Sequence, residues 1–501
     1  MIGLEQFVKN LSSRSFPIAW PGQWAGGGWI ASRRGPQAKA SINPNDTREK
    51  LIEVSLDKES VQQTIDAAER ARKEFAATSL ATRLEIIQRF RQMLADYQAP
   101  AELTLRLEGG KPRWEAQDDV AAALRYLDWV VKNGETINSE LLAPARLGPH
   151  PGASFVMLPI GVTVAYVPFS TPITSFAFYF AAAMIAGCPL IINSSAHALL
   201  SCMFLALVAE KLDLPPGIFN VVFGNFSTFR QMLTDRRVAA VLYTGSREHC
   251  DTIRAESKLS LGRQVVLQSG GKNAVIVHSS ADLGRAVDCV IRGAFTSAGQ
   301  RCSSTSRVFV YRSQVPEFLD RLVESVKAIK IGRTDLDGDD SGPTMGPLYS
   351  DKAVEKFLRF QTMANRESEK TLLWGRSMES MPHGNFVTPG IHHLTRFDNN
   401  SAYQGNVLFC PDVAVYDYDV LDTAIEQINT TDAAFAVSFI GDADALEERR
   451  HAFLAPNLLV NIPTVETEAT LPLAGRLLSG HHRYHGPGVA LYLCYPQVLC
   501  R

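Results

Sequence analysis

Apolar positions in the first part of the chain recur at helical spacing. Val61, Ile65, Ala68, Ala71 and Phe75, then Leu84, Ile87, Phe90, Met93 and Leu94, predict two amphipathic helices between about Lys58 and Tyr97, after an extended N-terminal region. Val120 to Val131 reads as another helix. The run Leu147-Gly148-Pro149-His150-Pro151-Gly152 then interrupts all periodicity, and its prolines and glycines predict a linker.

Beyond the linker the pattern changes to short apolar runs alternating with helical ones. Strands are predicted at 162–167, 189–193, 219–224, 239–245 and 264–268, with helices between them, one ending at Leu212. This rhythm predicts a doubly wound parallel sheet, which binds ligands at the carboxyl ends of its strands. A second alternating block at 273–278, 307–311, 414–418, 436–441 and 457–462 predicts a second α/β domain. The stretch Phe176 to Ile192 nears the length of a membrane span, but Pro172 before it and Gly187-Cys188-Pro189 within it favour a buried helix running into a short strand.

Charge narrows the partners. With 50 Lys and Arg against 52 Asp and Glu among 501 residues, the formal charge is -2, so no basic surplus points to nucleic acid or an anionic membrane. The 46% hydrophobic content excludes general disorder. Eight cysteines lie scattered, without a CxxC pair or a histidine at ligand spacing, so neither a disulfide scaffold nor a metal site is expected. The N-terminus carries no readable secretory signal, and cytoplasm is the expected location.

Candidate chemistry is concentrated in a few places. No GxGxxG follows a strand of the first block, so the ordinary dinucleotide turn is not expected. Tyr243-Thr244-Gly245-Ser246 ends a strand and opens a helix, where Ser246 either meets a phosphate or simply caps the helix. Within Gly299-Gln300-Arg301-Cys302, the cation beside Cys302 and a following helix N-terminus would favour the thiolate, making this the most reactive of the eight thiols; the alternative is a small core residue.

Several segments in one order then resemble the aldehyde dehydrogenase superfamily: Glu108-Gly109-Gly110-Lys111-Pro112, Val167-Pro168-Phe169, Pro215-Pro216-Gly217 with Asn220-Val221, Tyr243-Thr244-Gly245-Ser246, Gly270-Gly271-Lys272 and Gly299-Gln300-Arg301-Cys302. The resemblance covers nearly the whole chain, and Ser479-Gly480-His481-His482-Arg483 with Leu493-Cys494-Tyr495-Pro496 look like the succinylglutamate-semialdehyde dehydrogenase branch. It implies thiol attack on an aldehyde, hydride transfer to NAD(P), and hydrolysis of the thioester. Cys302 matches the nucleophile.

Other positions depart from the family pattern. The general-base Glu of Leu-Glu-Leu-Gly-Gly-Lys falls on Gln268, an amide that orients water but takes no proton. The oxyanion Asn of Pro-Trp-Asn-Phe-Pro falls on Ser170, and losing such a donor costs roughly 2.7–4 kcal/mol of transition-state stabilisation. The ribose-gripping Lys and Glu of Lys-Pro-Ser-Glu fall on Asn193 and Ala196. The nicotinamide-ribose Glu of Glu-Glu-x-Phe-Gly-Pro falls on Val407, while Phe409 matches the motif's Phe.

The resemblance therefore implies an α/β, aldehyde dehydrogenase-like fold. A Rossmann-like domain is expected at 1–132 and 155–267, a catalytic α/β domain carrying Cys302 at 268–466, and an oligomerisation element at 133–154 and 467–501, giving a homodimer or homotetramer. The expected catalytic residues are Cys302, Gln268 and Ser170; the expected cofactor positions are Thr244, Ser246, Asn193 and Phe409. Three functions stay open. The first is Cys302 acyl transfer on a small aldehyde or acyl substrate, with CoA or an amine as acceptor and weakened NAD(P) binding. The others are an active NAD(P)-dependent semialdehyde dehydrogenase and a catalytically dead scaffold. Arg301 and Arg483 are read either as partners of a substrate carboxylate or as structural ion-pair residues.

Overall fold

The computed structural model describes the chain apart from residues 1, 32–36, 140–152, 258–260, 337–341, 483–485, 487 and 501. The predicted linker at 147–152 and Arg483 lie outside the described residues.

The amphipathic helices form at Lys58–Ala76 and Leu80–Asp96, capped by the side chains of Asp57 and Ser79, which accept from the Ser60 and Thr82 backbone N–H groups. The third lies within a longer helix, Arg113–Ile137. The long apolar stretch becomes the helix Pro172–Ala186 and the strand Leu190–Ser194. Proline starts that helix and Gly187, at φ 79°, ends it. All but one of its side chains are buried, so its uniform apolarity reflects a core position. Among the described residues no helix is long and apolar enough to cross a membrane.

Two seven-stranded sheets follow the two alternating blocks. In the first, parallel strands run in the order Gln264–Gln268, Val238–Thr244, Val162–Val167, Leu190–Ser194, Phe219–Val222. Numbered along the chain this order is 5-4-1-2-3, and it reverses between Val162–Val167 and Val238–Thr244, where a doubly wound sheet opens its binding crevice. The short strands Gln23–Ala25 and Gly28–Ile30 extend the far edge antiparallel, an addition the sequence pattern did not predict.

The second sheet is ordered Lys370–Leu373, Gly390–Leu394, Asp412–Tyr418, Thr305–Tyr311, Asn273–Val277, Ala436–Ile440, Asn457–Val460. It is parallel except at its first pair. The first two strands were not foreseen. An antiparallel ribbon of Ala153–Pro159 with Cys494–Cys500 stands apart, exposing Val156, Tyr495, Val498 and Leu499.

Candidate active site

Cys302 sits in the turn between a 3-10 segment, Thr296–Gly299, and the strand Thr305–Tyr311. No helix begins at the thiol, so the expected helix N-terminus is absent. The turn is held by its carbonyl: the Cys302 oxygen accepts from Gly271 N at 3.2 Å and from Asn273 Nδ2 at 3.0 Å, and Asn273 Nδ2 also reaches Ser304 O at 2.9 Å. Gly270, at φ 75°, lets the two loops touch, since a Cβ there would stand 3.0 Å from the Cys302 Cβ.

Gln268 ends its strand beside Thr244. Its Nε2 donates to Cys302 Sγ at 3.7 Å, while Oε1 is buried with no partner among the described residues. The amide thus meets the thiol as a donor. Gly480 and His481 dock onto the same strand: His481 N donates to Leu267 O and Leu267 N donates to His481 Nδ1, each at 2.9 Å. These residues, within 467–501, support the Gln268 strand.

The sequence analysis did not find the groups that fix the thiol's charge environment. Glu115, fully buried on Arg113–Ile137, accepts from Ser297 N and Arg301 Nη2 at 2.9 Å each and from the Ser297 hydroxyl. Lys111 Nζ lies 3.9 Å from Glu115 and 2.7 Å from Asp119, which also accepts from the Thr174 hydroxyl. Arg301 is therefore an ion-pair residue here. The spacing of Lys111, Glu115 and Asp119 at every fourth position was the available signal.

Burial opposes the expected thiol activation. Cys302 as a residue is half-buried, yet protein atoms surround its sulfur, and burial pushes the thiol up to about 11 against the opposing pull of Arg301. Cys250 and Cys494 are pushed up further by burial, to about 12, and only Cys500 is classed as exposed. Of the eight thiols, Cys500 is the exposed one.

At the carboxyl ends of the first sheet's strands stand Thr244, Ser246 and Asn193, three of the expected cofactor positions. Thr244 is buried, its hydroxyl bonded to the Tyr179 hydroxyl. Ser246 precedes the helix Arg247–Ser257 and accepts from His249 N at 3.4 Å, as a helix cap does. Asn193 is buried; its Nδ2 donates to Ser194 O at 2.7 Å and Asn225 O at 3.4 Å, and its Oδ1 has no partner among the described residues.

Aromatic rings dominate the rest. Phe226 and His249 stack with centroids 3.6 Å apart and planes 8° from parallel, a spacing that admits no third ring between them. Phe169 stacks on Tyr349 at 4.1 Å, with the His197 ring edge-on at 4.9 Å. Burial lowers His197 to about 4, so it is neutral. Ser170, half-buried, follows Phe169 just beyond the central strand.

Phe409 is half-buried at φ 54° and joins the cysteine side through its neighbour: a Cβ on Gly299 would stand 2.1 Å from Cys410 O. Lys272 ties this segment to the Gln268 loop by donating to Asn406 O at 2.9 Å. Among the described residues no cluster of His, Cys, Asp and Glu forms a metal site.

The Aldehyde dehydrogenase family profile matches residues 29–498. The chain belongs to the aldehyde dehydrogenase family. It is 30% identical over 399 residues to the chloroplastic betaine aldehyde dehydrogenase of Atriplex hortensis, covering 78% of each chain. To the succinate-semialdehyde dehydrogenase [NADP(+)] GabD of Escherichia coli (strain K12) it is 27% identical, over 82% of this chain and 83% of the relative. Among solved structures it resembles the 1-pyrroline-5-carboxylate dehydrogenase from Thermus with bound NAD, at TM-score 0.90 and 20% identity over 99% and 95% of the two chains. An Escherichia coli NADP dependent enzyme gives 0.88 and 24% identity over 96% and 98%. The aldehyde dehydrogenase fold expected from the sequence is the observed one.

Proposed function

We propose that this aldehyde dehydrogenase family member uses Cys302 for acyl transfer on a small aldehyde or acyl substrate, with NAD(P) binding and hydrolysis both weakened. The Cys302 sulfur attacks the acyl carbon of a thioester donor; the new C–S bond forms as the donor's breaks, and the thiol proton leaves with the departing thiol. An acceptor thiol such as CoA, or an amine, completes transfer by the same exchange. A plain aldehyde would go only as far as a thiohemiacetal, its oxygen taking the thiol proton.

The observation that carries this reading is the Gln268 amide 3.7 Å from Cys302 Sγ. It donates to sulfur and cannot deprotonate water, so the acyl-enzyme waits for a better nucleophile. The unpartnered Gln268 Oε1 is a place where an acceptor N–H or a water would be bound. Ser170 and the Cys302 backbone N–H are the proposed oxyanion donors.

The crevice residues do not fit a dinucleotide gripped by charge at its riboses. Asn193, Ala196 and Val407 bring no charge, and the Phe226–His249 stack closes on itself. Thr244, Ser246, Asn193 and Phe409 are the positions that a weakly held NAD(P) would meet, and no step above depends on it.

The protein is further read as a cytoplasmic homodimer or homotetramer near the succinylglutamate-semialdehyde branch, built from a Rossmann-like domain at 1–132 and 155–267, a catalytic domain at 268–466, and an oligomerisation element at 133–154 and 467–501. The exposed Tyr495 and Val498 of the outlying ribbon support assembly through that element.

Intact-mass spectrometry after exposure to a short-chain acyl thioester tests the reading. A stable added mass on the native chain, absent in Cys302→Ala, is expected. A second reading, an active NADP-dependent semialdehyde dehydrogenase, is favoured by the likeness to GabD. Turnover of an aldehyde to free acid with NAD(P), with no adduct accumulating, would establish it instead.

A further inference from the structure

The Cys302 turn carries a backbone that needs external support. Ser297 and Ala298 both stand in the left-handed region, at φ 52° and 50°, followed by Gly299 at 71°. Only the glycine adopts this conformation without a steric penalty. What opposes the penalty comes from the other domain: the buried Glu115 carboxylate accepts from Ser297 N, the Ser297 hydroxyl and the Arg301 guanidinium. Arg301 Nε also donates to Ser297 Oγ at 3.1 Å, closing a ring of contacts five residues long just before the thiol.

We propose that Glu115 is a positioning residue for Cys302: it holds the left-handed Ser297–Ala298 turn and binds the Arg301 guanidinium, so it decides how much of that charge acts on the thiol. The groups that face this arrangement are few. Glu115 meets Arg301, Ser297 and Lys111; Arg301 meets Glu115, Ser297 and, at longer range, Asp119; Asp119 takes Lys111 and Thr174. Cys302 itself faces Arg301, the Gln268 amide and the backbone N–H groups of Cys302 and Ser303. Arg301 is the one full charge acting on the thiol among these, and Glu115 is its partner.

The inference concerns the thiol of the acyl-transfer reading but needs no acyl donor for its test. Iodoacetamide alkylation of Cys302 is followed by peptide mapping across pH in a Cys500→Ser background. Glu115→Gln removes the counter-charge and keeps the shape, so the midpoint of the alkylation profile is expected about one pH unit lower. Arg301→Met removes the cation and shifts it upward.

An unchanged or raised midpoint in Glu115→Gln would overturn the proposal. Should that variant fail to fold, Arg301→Met decides alone, and the double variant with both charges removed should recover the fold. A midpoint that Arg301→Met does not move would also overturn it. A native chain that alkylates normally but forms no acyl adduct would instead count against acyl transfer and leave Glu115's role standing.

Discussion

The surroundings of Cys302 and those of the carboxyl ends of the first sheet are built differently. Near Cys302 the charged side chains Glu115 and Arg301 pair, as do Lys111 and Asp119, and the Cys302 carbonyl accepts from Gly271 and Asn273. In the crevice, charge is replaced by rings and amides. Phe226 stacks on His249, Phe169 on Tyr349, and the buried Asn193 leaves its oxygen unmatched. Buried charges are costly unless paired, so a set kept intact signals a geometry still specified, whereas stacked neutral rings hold a fold without specifying a ligand.

The largest expected effect breaks the cysteine side's distinctive feature. Gln268→Glu places a carboxylate beside Cys302 and should shorten the lifetime of an acyl adduct by roughly 10²–10⁴-fold, the usual range of general-base assistance. Decay of the adduct mass in native and variant chains measures it.

Next, the crevice can be returned toward a charged form. Asn193→Lys with Ala196→Glu and Val407→Glu, each adding a charge-assisted contact, should tighten NAD(P) binding by roughly tenfold or more in titration calorimetry. His249→Val, which dissolves the stack on Phe226, should add to it. A native chain that already binds NAD(P) in the low micromolar range, unchanged by these substitutions, would remove the contrast between the two regions.

The pH dependence separates them further. Because burial holds Cys302 at about 11, its alkylation rate should climb throughout pH 7–10, about tenfold per unit, instead of levelling near neutrality. Cys500, exposed, should label first at neutral pH.

The last effect concerns His197. Its folded value of about 4 lies below the unfolded 6.5, so the unfolded chain binds the proton first and stability falls as pH drops through that window. The loss is roughly 3–4 kcal/mol at most, reached below pH 4. His197→Phe should lose less stability than the native chain between pH 6.5 and pH 4 in denaturant titrations.

The sequence pattern located most of the framework. Val162–Val167 and Gln264–Gln268 were predicted to the residue: the first is a fully buried apolar run, and the second carries Val265-Val266-Leu267 between two glutamines. Strands such as Gln23–Ala25 and Lys370–Leu373 were not, since short edge strands owe their existence to a neighbour's free backbone groups and carry no periodicity of their own. At the site, Cys302 and Gln268 were legible from their motifs. Glu115 was not, because the 111–115–119 spacing does not name its partner Ser297, which lies 182 residues away.

By itself, then, the chain determined its two alternating α/β blocks, its family, and the identity of the thiol and the amide beside it. Only the tertiary structure decided the thiol's state. A thiol next to an arginine reads as activated in sequence, but charge acts through space, and here a carboxylate from a distant helix binds that arginine while burial favours the neutral thiol.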